Sequence, residues 1–84
     1  MENPMKLAPN PARNWTACTY RITGDVTQAI LTLKDALGRS LQVHRLGAAE
    51  GQLILDTRSL GSGLYTVELQ QGGRILQVEK LIVQ

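Results

Sequence analysis

The chain is 84 residues long, which limits it to one domain with a modest core. Apolar residues make up 43% of it, enough to fold, and its single cysteine, Cys18, excludes an internal disulfide. The net charge is +2, the basic residues are scattered singly, and the aromatics are only Trp15, Tyr20 and Tyr65. A nucleic-acid binder, which needs a basic stripe or a stacking platform, is therefore excluded.

The opening stretch MENPMKLAPNPARNW places Pro4, Pro9 and Pro11 close together and reads as a linker or cleavage-proximal segment over residues 1–8 leading into a domain over 9–84. No signal-peptide region follows Met1, and no apolar run approaches a membrane span. The stretch is expected to be the start of a module cut from a longer protein, with any export signal upstream.

After it the chain alternates with period two. In TACTYRIT, Cys18, Tyr20 and Ile22 share one face, and Thr19 and Arg21 the other, as in a half-buried strand. Gly24-Asp25 turns the chain into QAILTLKD, with Ala29, Leu31 and Leu33 on one face. Helical spacing of Ala29, Leu33 and Ala36-Leu37 competes here, but Thr32 and the flanking Gly24 and Gly38 favour a strand. SLQVHRL follows, with Leu41 and Val43 expected inward and Gln42 and His44 outward.

Gly47 to Gly51 is a loop, and QLILDT is a short apolar run. LYTVEL alternates again, Gln71-Gly72-Gly73 is a hairpin turn, and RILQVEKLIV is a strand long enough to hold a bulge or a bend. Six strands, or seven with the segment near Leu7, recur at spacings of about 8–12 residues, the mark of an all-β, Ig-like antiparallel sandwich.

Catalytic chemistry is not supported. His44 is a lone histidine, and a metal site needs three or four ligands. Cys18 lies on an apolar face and reads as a buried structural residue. Asp35 and Asp56, at strand ends beside turns, read as acceptors for local backbone N–H groups. The Gly61-Ser62-Gly63 turn precedes a strand, whereas a phosphate loop opens a helix. Trp15 has a reading as a binding aromatic, but at the head of a first strand it is expected to lid the core. No metal, cofactor or catalytic residue is assigned, and the chain reads as a non-enzyme.

Two stretches are structural devices. In Leu60-x-x-Gly63-x-Tyr65 the tyrosine begins a strand and its hydroxyl is expected to bond back to upstream backbone, with Gly63 permitting the turn. In Asp35-Ala36-Leu37-Gly38-Arg39, Asp35 ends one strand, Gly38 takes a left-handed turn position and Arg39 starts the return.

The order Pro9-Asn10-Pro11-Ala12, Asp35 to Arg39, Leu60-x-x-Gly63-x-Tyr65 and Lys80-Leu81-Ile82-Val83 closely resembles the C-terminal sorting domain, type A, of the type IX secretion system. The resemblance covers about Lys6 to Gln84. An aromatic residue often precedes the Pro-Asn-Pro in that family and is lacking here, and some members have two lysines in the last strand where this chain has Lys80.

The resemblance implies an Ig-like sandwich that follows an exported cargo domain in Bacteroidetes. The cargo would cross the periplasm and be carried to the outer membrane, the cell surface or the medium. The implied partners are translocon and shuttle proteins of the outer membrane, and a cell-surface sortase that cleaves before the domain. The implied recognition residues are Gly63, Tyr65, Lys80, Leu81, Ile82 and Val83, with Gly63 and Tyr65 mainly structural. A sheet edge at the terminal strand is also expected to be exposed and available for a partner strand or a homodimer. The alternative reading is an Ig-like binding or adhesion module appended to a secreted protein.

Overall fold

A computed structural model of the chain describes residues 4–84. Its strands are β1 (Met5–Ala8), β2 (Trp15–Arg21), β3 (Ala29–Lys34), β4 (Ser40–Arg45), β5 (Glu50–Asp56), β6 (Gly63–Gln71) and β7 (Arg74–Val83). They form two antiparallel sheets, ordered β1-β2-β5 and β4-β3-β6-β7. The Ig-like sandwich read from the alternation is the fold. Residues 1–3 of the expected linker lie outside the described residues, whereas Met5–Ala8 is a strand paired along β2.

Alternation explains the layers. Cys18, Tyr20 and Ile22 of one sheet meet Ala29, Leu31, Leu33, Val67, Leu69, Leu81 and Val83 of the other, all buried. Each such aliphatic side chain removed from water contributes about 1.5–3 kcal/mol, so a few inward rows hold the chain together without a disulfide. Burial pushes the Cys18 thiol up to about 12, far from a reactive thiolate.

The helical alternative for residues 27–37 is overturned. A single 3-10 turn, Val26–Gln28, capped by the Asp25 carboxylate on the Thr27 amide, leads directly into β3. The β3–β4 hairpin closes through the Asp35 turn. The β6–β7 hairpin closes through Gly72 and Gly73, whose φ of 59° and 82° suit a two-residue turn between paired Gln71 and Arg74. The expected bulge in the last strand is present, opposite Leu69–Gln70.

Two side-chain placements differ from expectation. In β4 the facing is reversed: Leu41 and Val43 are exposed, while Gln42 and His44 point inward and are half-buried. The buried Leu46 just after the strand sets the parity, and β4 lies at the rim, where Gln42 reaches the Asp56 carbonyl at 3.2 Å. Trp15 does not lid the core. It is 48% exposed, because it shares the outward parity of Thr19 and Arg21 while Thr16, Cys18 and Tyr20 take the inner face.

Candidate recognition site

The register of β7 brings three of the four motifs together. Along one side of it run Gly63↔Val83, Leu64↔Ile82, Tyr65↔Leu81 and Thr66↔Lys80, so the Gly-x-Tyr residues are the direct cross-strand neighbours of the terminal ones. Tyr65 donates its hydroxyl to the Gly61 carbonyl at 2.6 Å, the tyrosine corner of Ig-like sandwiches, where the chain crosses from β5 to β6. Gly63 has a positive φ of 157°, which residues with a side chain rarely adopt, although a Cβ there would meet nothing within 4 Å.

The other side of β7 is an edge of the four-stranded sheet, and the Pro-Asn-Pro segment lies on it. Asn10 donates its side-chain amide to the Lys80 carbonyl at 2.7 Å and accepts from the Ile82 amide at 3.0 Å. Ala12 then donates to the Ile82 carbonyl at 2.7 Å and accepts from Gln84 at 2.8 Å. Farther along, Gln77 accepts from the Met5 amide at 2.9 Å and donates to the Met5 carbonyl at 3.0 Å. Two side-chain amides thus stand in for the peptide groups of a neighbouring strand. The edge expected to lie open from Lys80 to the last residue is occupied by the chain's own lead-in, which corrects that expectation.

Alternation divides the terminal motif. Leu81 and Val83 are buried, at 0% and 3% exposure, and belong to the core. Lys80 is exposed and Ile82 is 46% exposed, both on the outer face. Beside Ile82 stands Leu64, also 46% exposed, and the row Lys80–Thr66–Lys34–Ser40 crosses the sheet next to them. Lys34 is paired with Glu68 at 3.1 Å, a carboxylate that also accepts from Gln70. Lys80 makes no such pair among the described residues, so its ammonium is free to meet a partner's acidic group.

The fourth motif is the turn after β3, at the same end of the sheet as Thr66 and Lys80. Asp35 accepts from the Leu37 and Arg39 amides, both at 2.9 Å, and from the Arg39 guanidinium at 2.7 Å. These bonds, the one from the Arg39 amide foremost, hold the carboxyl below its usual range. Gly38 takes the left-handed φ of 84° that the turn requires. Asp56, paired with Arg58 at 2.8 Å, is held at about 2 in the same way, so both aspartates do the local work expected of them.

Trp15, expected to lid the core, stands on the outer face instead. Trp15 lines a shallow cleft of about 310 Å³ with Pro9, Pro11, Arg13, Asn14 and Gln84, beside the docked segment. Its outward parity with Thr19 and Arg21 was the available signal. Among the described residues no group of three or more His, Cys, Asp or Glu side chains is placed to hold a metal.

A family model described as a secretion system C-terminal sorting domain matches residues 6–84. The chain belongs to the type IX secretion C-terminal sorting domain family. No curated protein matches it. Membership gives the sorting domain its role in type IX secretion and ties it to the secretion machinery and to a parent cargo protein. Its destination is accordingly the outer membrane or the cell surface. The match begins at Lys6, inside β1, in keeping with that strand being part of the sorting domain.

Proposed function

We propose that the chain is a non-catalytic sorting signal whose outer face around Lys80 and Ile82 docks on translocon or shuttle proteins of the outer membrane. The observation that carries this reading is the split of the terminal motif, with Lys80 and Ile82 outward and Leu81 and Val83 in the core. A partner approaching the folded domain meets a free ammonium beside an apolar pair, Ile82 with Leu64, and this suits an acidic, apolar surface. Leu81, Val83, Gly63 and Tyr65 act through the fold, by holding β7 in place. Asn10, between Pro9 and Pro11, holds the edge of that strand together with Ala12, and Asp35, Gly38 and Arg39 fix the neighbouring turn.

The domain boundary then lies upstream of β1 rather than at Pro9. A surface sortase would cleave before Met5, because the bonds from Met5 to Ala8 are held in a sheet and a protease needs an extended, accessible segment. Cargo would precede that point and carry its own signal for entry to the periplasm.

The test is export of a fluorescent reporter placed between a signal peptide and residues 1–84, in a bacterium with a working type IX system. The expected result is reporter at the surface or in the medium, and reporter held in the periplasm when the domain is omitted. Equal retention of both stable fusions in the periplasm would contradict sorting. The exposed Trp15 would then favour a binding module appended to a secreted protein.

A further inference from the structure

The two long sides of the sandwich are closed differently. On the β1/β7 side the amides of Asn10 and Gln77 and the backbone of Ala12 satisfy the edge. On the β4/β5 side, among the described residues, one side-chain bond spans the sheets, Gln42 to the Asp56 carbonyl. Strand β4 is the edge of its sheet there.

Its hydrogen-bonding direction follows from the register. Leu46 donates to the Ala29 carbonyl at 3.0 Å, so Leu46 addresses β3, and antiparallel alternation turns His44 and Gln42 the same way. The N–H and C=O groups of Val43 and Arg45 therefore point to the open side. Natural edges are usually blunted by proline, lysine or bulges. Ser40–Arg45 holds no proline or lysine, and its bulge lies at one end, where Leu41 is left between the partners of Lys34 and Leu33. Val43, in the middle, is 58% exposed.

We propose that β4 pairs antiparallel with β4 of a second copy of this chain, about a twofold axis at Val43. In that register Val43 faces Val43 of the second copy, Leu41 faces Arg45, and Gln42 faces His44. Each contact is self-consistent: apolar against apolar, an arginine stem along a leucine, an amide beside an imidazole. No like charges stand opposite one another, since Arg45 meets Leu41. The open N–H and C=O groups of Val43 meet their own copies, as an isologous interface requires. Two four-stranded sheets become one continuous sheet with a shared outer face. The same operation on β7 is blocked between Lys80 and Gln84 by the lead-in segment, so the dimer edge is β4 and not the terminal strand.

Light scattering on the 84-residue chain, from micromolar to millimolar concentration, reads this directly. The mass is expected to rise from 9.2 kDa towards twice that value. Val43→Pro removes an N–H that points only to the open side, leaving the β3 ladder whole. Val43→Lys sets like charges opposite each other across the twofold axis. Both variants are expected to keep the native circular dichroism and to weaken dimerisation about tenfold or more. A wild-type chain that stays at 9.2 kDa throughout overturns the proposal. So does a dimer that persists unchanged in the folded Val43→Lys chain, or one lost on changing Lys80 but not Val43.

Discussion

Tyr65 shows how one atom pins a crossing. Its ring lies half-buried against the core, and its hydroxyl meets the Gly61 carbonyl four residues upstream at 2.6 Å. Tyr65→Phe keeps the ring and deletes that bond, so it is expected to cost about 1 kcal/mol, read as a lower midpoint in urea with an unchanged slope. An unchanged midpoint would mean that the corner is held by Leu60 and the turn backbone instead. This device was legible in Leu60-x-x-Gly63-x-Tyr65, because a tyrosine hydroxyl at a strand start has few other partners. So was Asp35, whose carboxylate had two amides within reach once Gly38 turned the chain. His44 and Trp15 were misplaced, since alternation names two faces without saying which is inner. At a rim strand such as β4 the apolar face is the outer one, and at the first residue of β2 the parity of the strand overrides the bulk of the indole.

Strand β7 is held on both sides, by β6 through the ladder and by the lead-in through Asn10 and Ala12. Asn10→Ala removes both bonds of the side-chain amide while leaving Ala12 in place. It is expected to lower stability by about 1–2 kcal/mol and to speed exchange of the Ile82 amide well before that of the Leu81 amide, which bonds within the sheet. Hydrogen exchange resolved by NMR checks this, and uniform acceleration along β7 would contradict a local clamp. The strands themselves were readable from period two, and the length of the last one allowed for the bulge at Leu76. The clamp was not, because it joins residues some seventy positions apart and rests on a side chain imitating a peptide group. Proline spacing likewise marked a break in the chain, but could not show that Met5 would be buried and bound by Gln77.

Over the whole molecule, the inner layer supplies stability, and the proposed docking face is the outer face of the four-stranded sheet. Ile82, Leu64, Val78 and Val43 are each about half-exposed on that face, with Ile82 and Leu64 paired across β6 and β7. Secretion is expected to depend on the outward half of the terminal motif separately from the fold. Export of the reporter fusion, measured beside the thermal midpoint of the isolated chain, tests it with two variants. Lys80→Glu combined with Ile82→Thr keeps a β-branched residue and touches no core atom, so the midpoint is expected to stay close to wild type while most surface reporter is lost. Leu81→Ala opens the core at a cost of about 2–5 kcal/mol, so its midpoint should fall, with export falling only as far as the folded fraction does. Full export by the outward double variant, with its fold intact, would contradict recognition through Lys80 and Ile82 and leave the terminal strand a purely structural element.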